Sequence, residues 1–188
     1  MPKYDIRAVR KLTHSELLTN RLTEERALEI ERFPIAVILQ DVRSLYNVGS
    51  IFRSADAFRI SKLFLTGYTP FPPRKEISKT ALGAERTVPW EHRTSALEAI
   101  QELKTAGWNV YAVELAENSS DIVALSPTQF PAAFVLGNEL IGLDADVLAA
   151  CTGAFEIAMH GVKHSLNVAV AAGIVMHQAS TVHTSAKQ

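Results

Sequence analysis

Apolar residues along this chain concentrate in short runs rather than in long alternating stretches. Such runs occupy residues 35–39, 63–66, 109–115, 132–136 and 154–157. Four to seven residues rich in Val, Ile, Leu and Phe are what strands buried on both faces require. Between them lie segments with helical spacing, predicting helices over residues 48–58, 95–106 and 166–181. The middle one has Ser95 at its start and Gly107 just past its end, the residue types that satisfy orphan groups at helix termini. Strands alternating with helices predict an α/β domain with a mainly parallel sheet and helices on both faces. Ahead of it the chain is charged and helix-prone, with Thr-capped helices expected over residues 13–18 and 23–33. The expected organisation is therefore an N-terminal helical extension, residues 1–33, and one domain, residues 34–188. Pro70, Pro72 and Pro73 predict irregular extended chain over residues 67–74.

Composition narrows the function classes. The chain has 188 residues, 47% of them hydrophobic, enough for one domain with a sizeable core. Its formal net charge of -1 supplies no global basic field of the kind that often marks nucleic-acid binders, so any RNA-binding face must be local. A single cysteine, Cys151, excludes an intramolecular disulfide and a cysteine-cluster zinc site, and its apolar setting reads as a buried thiol. No apolar stretch reaches membrane-spanning length and the N-terminus has no apolar signal region, so a cytoplasmic location is expected.

Three segments punctuated by glycine and asparagine carry the candidate chemistry. The first is Asn47-Val48-Gly49-Ser50-Ile51-Phe52-Arg53. The second, Phe134-Val135-Leu136-Gly137-Asn138-Glu139-Leu140-Ile141-Gly142-Leu143, reads as a buried strand breaking into a glycine loop. In the third, a short apolar run ending at Ile157 passes Met159 and Gly161 to Ser165-Leu166-Asn167, which opens an Ala/Val-rich helix. Polar side chains there sit where a helix N-terminus presents unpaired N–H groups. The glycine spacing does not fit a dinucleotide fingerprint or a P-loop: Gly49 has no second glycine at the required interval, and Gly137 and Gly142 are five apart. Loops of this kind let the backbone approach a ligand closely.

In this order and spacing the trio closely resembles the motifs of the SpoU (TrmH-like) branch of the SPOUT RNA methyltransferases, over roughly residues 35–180. The resemblance implies a C-terminal deep trefoil knot, an exception to the rule that chains do not thread. It also implies S-adenosylmethionine held in the knotted loops, a ribose 2′-hydroxyl of tRNA or rRNA as methyl acceptor, and a homodimer. Carried over by position, Val113, Gly137, Ile157 and Leu166 are the implied cofactor contacts, with Met159 and Ser165 as further lining. Arg53 matches the motif arginine thought to activate the hydroxyl. A guanidinium stays protonated in nearly any protein setting, so the role assigned to Arg53 is to stabilise the developing alkoxide and fix a neighbouring phosphate. Its bland alternative is an i,i+3 ion pair with Asp56.

Asn47, Glu139, Ser165 and Asn167 match the remaining polar motif positions. Asn47 either orients Arg53 or a phosphate, or caps its helix. Ser165 either caps the last helix or touches the substrate ribose, whereas Asn167 falls inside the predicted start of that helix and is less easily read as a cap. Glu139 either anchors its loop or favours the cationic sulfonium. Ala158 stands where the family commonly has proline, and Ala169 where serine is frequent; neither removes a catalytic group. Segment 79–90 also resembles a family stretch, and with the residues before it contributes Arg74, Lys75, Lys79 and Arg86, a local positive patch or a solvated loop. His160 and His164 have helical metal-ligand spacing, but Gly161 interrupts them and no third ligand is evident, so RNA phosphate is the better partner and no metal is expected. The rival readings are a catalytically silent knotted RNA- or nucleotide-binding module and a SPOUT base methyltransferase.

Overall fold

The computed structural model describes residues 9–19, 22–138 and 140–187. The chain divides into two units, residues 1–30 and 31–188. The first holds α1 (His14–Thr19) and α2 (Glu24–Glu29). Each is opened by a threonine: Thr13 accepts from the Glu16 amide at 3.3 Å, and Thr23 from the Arg26 amide at 3.3 Å. Glu16 in turn accepts from the Thr13 amide, closing a reciprocal cap. The second helix is shorter than its pattern suggested. It ends at Glu29, and Phe33 already opens the first strand, because the residue before a proline is pushed out of the α region.

The second unit is a seven-stranded parallel sheet. Its elements are β1 (Phe33–Gln40), α3 (Leu45–Ala57), β2 (Ile60–Thr66), α4 (Lys75–Ala81), α5 (Ala84–Thr87), β3 (Trp90–Arg93), α6 (Ala96–Thr105), β4 (Asn109–Val113), β5 (Ser120–Asp121), β6 (Ala132–Leu136), α7 (Ala145–Ala150), β7 (Gly153–Glu156) and α8 (Val168–Ser185). The strand order is β3-β2-β1-β6-β4-β7-β5. Both faces are covered, which explains why successive residues of the central strands are apolar. Ile35, Val37 and Leu39 of β1 point to a core shared with α3 and α8, while Ala36 and Ile38 point to a second core shared with α6 and α7.

Differences from the pattern-based expectation have local causes. Helix α3 starts three residues before the predicted position because Ser44, not Asn47, is its cap: the Ser44 Oγ accepts from the Asn47 amide at 3.3 Å. Helix α8 starts at Val168 rather than Leu166, with Asn167 as its cap. Strand β4 stops at Val113, where the chain turns into the loop that follows. Two short helices, α4 and α5, occupy the stretch after the prolines, and α4 lies unusually close to α3. A methyl group at Gly49 would fall 2.1 Å from the Thr80 hydroxyl and 2.3 Å from the Ile77 carbonyl oxygen. Only glycine permits that approach.

Candidate active site

Open parallel sheets bind ligands beyond the carboxyl ends of their strands, where strand order reverses. Here the chain runs outward through β1, β2 and β3, then returns to the far side of β1 through β6 and β4. A cavity of about 450 Å³ opens at the carboxyl ends of β4, β6 and β7 and is closed by the start of α8. That volume lies within the usual range for small-molecule sites, roughly 300–1,000 Å³. Val113 ends β4, Gly137 follows β6, Ile157 and Met159 follow β7, and Ser165 and Leu166 precede α8; all six line this one cavity.

The β6 loop is held in a fixed shape by groups that face the cavity. Asn138 and Gly142 exchange backbone hydrogen bonds, at 3.2 Å and 2.9 Å, pinching the loop at its base. The buried Asn138 amide donates to the Asp41 carbonyl at 2.8 Å, and its oxygen accepts from the Leu140 amide at 2.8 Å. A methyl group on Gly137 would lie 2.4 Å from the carbonyl carbon and oxygen of Gly142, so the pinch leaves no space for a side chain. Beyond it, the Gln40 side chain makes two bonds to Asp144: its amide donates to the carboxylate, and its oxygen accepts from the Asp144 amide at 3.3 Å.

Two carboxylates in the cavity wall were not anticipated from the sequence. Glu114, one residue past β4, accepts from the Leu115 amide at 3.1 Å and from the Leu143 amide at 3.2 Å. It therefore ties the β4 loop to the β6 loop while adding negative charge to the wall. Glu156 ends β7 and accepts a hydrogen bond from the Ser119 hydroxyl. No motif marks either residue; the available signal was that each directly follows or ends a strand whose carboxyl end meets the cavity. Asn138 and Glu114 both anchor this loop, and Glu139, expected to anchor it or to favour the sulfonium, lies outside the described residues.

The polar residues of the first and third motifs meet at the edge of this cavity. Asn167 Oδ1 accepts from the Ala169 amide at 2.9 Å, so it is the cap of α8 after all, and Ser165 is not. Asn167 fell short of its expected reading because the helix starts two residues later than its apolar run. The other end of its side chain donates to Asn47 Oδ1 at 3.2 Å, joining the first turn of α3 to the start of α8. Asn47 thus faces α8, as does Ser54, whose hydroxyl is 3.8 Å from where a methyl group on Gly173 would stand.

Arg53 lies elsewhere. At 3.6 residues per turn, Tyr46, Ser50 and Arg53 share the outward face of α3, between the side covered by α4 at Gly49 and the side covered by α8. Arg53 is exposed and is not part of the cavity wall. Its proposed ion pair with Asp56 is not formed; Asp56 instead accepts from the Thr87 hydroxyl at 2.9 Å. His160 and His164 are exposed, with His164 at the cavity rim. Cys151 sits far from this chemistry in role: its thiol donates to the Val147 carbonyl at 3.2 Å, and burial pushes its pKa up to about 11. It is a neutral packing group.

An all-parallel sheet with helices on both faces and a glycine-loop cavity beyond β4, β6 and β7 defines an α/β domain built to take a small ligand in its C-terminal loops. The model of the SpoU rRNA Methylase family matches residues 34–177, and the chain belongs to that family. It is 30% identical over 155 residues to a tRNA (guanosine(18)-2′-O)-methyltransferase of Thermus thermophilus, covering 82% of this chain and 78% of that one. It is 32% identical over 151 residues to the 23S rRNA (guanosine-2′-O-)-methyltransferase RlmB of Nitrosomonas europaea, covering 80% of this chain but 57% of the relative. Among solved structures, the TrmH/SpoU tRNA modifying enzyme of A. aeolicus superposes with a TM-score of 0.77 at 24% identity, over 87% of this chain and 84% of the other, a likeness of fold. An AdoMet-bound rRNA methyltransferase from Sinorhizobium meliloti superposes with a TM-score of 0.75 at 29% identity, over 82% of this chain and 59% of that one.

Proposed function

We propose that this chain is an S-adenosylmethionine-dependent RNA methyltransferase that methylates a ribose 2′-hydroxyl of tRNA or rRNA in the cytoplasm. The observation that carries the reading is the meeting of all three family motifs around one site, the second and third in the cavity wall and the first bonded to its edge through Asn47 and Asn167. The residues fit the cofactor. Backbone groups around Gly137 suit adenosine, the apolar side chains of Val113, Leu136, Ile157 and Leu166 form a slot, and the carboxylates of Glu114 and Glu156 complement a cation. When bound, the cofactor supplies a methyl group on a positively charged sulfur.

The chemistry left to the protein is placement and charge. Methyl transfer is an in-line displacement: the ribose oxygen forms a bond to the methyl carbon, the carbon–sulfur bond breaks, and the hydroxyl proton departs to a phosphate oxygen or water. The Asn47–Asn167 pair fixes the edge of the cavity, with the Ser165 hydroxyl beside it to meet the ribose. Arg53 holds the neighbouring phosphate and stabilises the negative charge developing on the ribose oxygen, as a permanent cation can. The family's trefoil knot and homodimeric state belong to the same reading. The apolar residues exposed on and beside α8, Val123, Val170 and Ile174, supply a surface for a second copy.

The test is incubation with labelled S-adenosylmethionine and separate pools of unmodified tRNA and rRNA, followed by mass spectrometry of the nucleosides. The expected product is a 2′-O-methyl nucleoside from one pool, reduced by at least about a hundredfold in Arg53→Ala, the usual loss on removing one charge-stabilising donor. A methylated base would move the protein to another SPOUT branch. Cofactor binding without transfer to either pool would leave a silent RNA-binding module instead.

A further inference from the structure

The positive segment noted in the sequence acquires a definite shape once α4 is in place. Arg74, Lys75, Ser78 and Lys79 occupy one exposed face of α4 and, with Pro73, line a shallow recess of about 550 Å³. Lys75 and Lys79 are four residues apart and stand one above the other; Glu76 lies about a hundred degrees round the helix from Lys75 and about sixty from Lys79, and no ion pair joins it to either. Among the described residues none of the three cations is paired with a carboxylate. Glu85, the next acid along the chain, is engaged with the Gly83 amide at 3.1 Å.

This face is locked to the helix that bears Arg53. The Thr80 hydroxyl, next to Lys79, donates to the Tyr46 carbonyl at 3.0 Å, and Gly49 admits Ile77 and Thr80 against α3. Tyr46 is 51% exposed and lies two turns before Arg53 on the same outward face. Three cations without a carboxylate partner, an exposed aromatic ring and a fourth cation, Arg53, thus follow one another across two closely packed helices. That sequence of groups matches single-stranded nucleic acid, which needs positive charge along its backbone and a flat apolar ring for a base. A chain with a net charge of -1 offers no general polyanion affinity to account for such an arrangement.

We propose that the outward face of α4 together with Tyr46 is a docking surface for an unpaired RNA segment flanking the methylated nucleotide, with Arg74, Lys75 and Lys79 on its phosphates and Tyr46 stacked on a base. This rests on the RNA-methylation reading. The recess positions the strand so that the target ribose reaches the cavity edge near Asn47.

The test is fluorescence polarisation with a short labelled single-stranded RNA of mixed sequence, and with its duplex, over a salt series. Wild type, Lys75→Ala/Lys79→Ala, Tyr46→Ala and Tyr46→Phe are compared, with S-adenosylmethionine affinity by calorimetry as the check on folding. The double lysine variant is expected to weaken binding on the order of tenfold and to flatten the log–log salt slope by about 1.4, two single-strand phosphate contacts. Tyr46→Ala is expected to weaken the single strand severalfold and spare the duplex, while Tyr46→Phe behaves as wild type. Unchanged single-strand affinity in either alanine variant, with cofactor binding intact, overturns the surface. If those variants bind and methylate as wild type does, the surface falls and the methylation reading stands. If they lose RNA as expected while wild type transfers no methyl group, the surface stands and the methylation reading falls.

Discussion

Gly137 has no room for a methyl group, and the reason is the backbone of Gly142 rather than any side chain. A flexible neighbour could swing aside; a pinched loop cannot do so without opening. Gly137→Ala is therefore expected to cost about 1–3 kcal/mol of stability, as overpacking generally does, and to weaken S-adenosylmethionine binding more than tenfold in calorimetry. Retained affinity would mean that the pinch is not what shapes the site. Cys151 gives an opposite kind of expectation, one of inertness. With its pKa near 11, about two units above an ordinary thiol, its thiolate population at pH 8 is roughly a hundredfold smaller. Alkylation by iodoacetamide in the native protein should be slower than that of free cysteine by about that factor, and denaturant should abolish the difference. The glycines and the six cavity-lining positions were legible in the sequence because motif order and spacing carry over from chain to chain. Glu114, Glu156 and Gln40 were not, because each acts through a partner far along the chain: Leu143, Ser119 and Asp144.

Among the elements, those with a strong apolar period were readable, and those stabilised by neighbours were not. Strand β6 and helix α6 match their patterns closely, since five buried apolar residues and a Ser95 cap are local signals. Helix α4 has seven residues, with Ile77 and Ala81 as its buried pair, too few for a period to emerge. Its stability comes from the close approach to α3. Edge strand β3 carries Glu91, His92 and Arg93 and so lacks any apolar run; Glu91 pairs with Lys62 at 2.6 Å and with Arg93. At the other end of the domain, α8 docks through His183, whose ring centroid is 5.1 Å from that of Phe33 and 5.5 Å from that of Phe130. Burial, and secondarily Lys187, holds the His183 pKa below its ordinary value, against a weaker opposing pull from Glu31. The unfolded chain then takes up this proton more readily than the folded one. The contribution is complete above the unfolded value of about 6.5 and is lost as pH falls through the folded value. Thermal unfolding followed from about pH 7.5 to about pH 5 should show a falling midpoint, and His183→Phe should shrink that fall. An unaltered pH profile in the variant would assign the acid loss to other groups.

At the scale of the whole molecule, the exposed apolar side chains beside α8 are the feature a lone domain does not explain. Val123 is 69% exposed, Val170 51% and Ile174 38%, and all three line one groove with Phe58 and His177. If a second copy covers it, sedimentation should give twice the chain mass, and Ile174→Glu should shift the species to a single chain at micromolar concentration. A wild-type protein that sediments as one chain would remove the homodimer from the functional reading. The parallel sheet itself was evident from alternating runs, but its strand order was not, since order is decided by which crossovers pack and not by any local run. That order has a consequence for synthesis. The bonds Asn138 to Asp41, Gln40 to Asp144 and Asn47 to Asn167 span 97, 104 and 120 residues. During translation the first motif therefore leaves the ribosome long before anything exists to hold it. A nascent chain stopped short of α8 has all seven strands of its sheet but neither the partner of Asn47 nor the segment that closes the cavity.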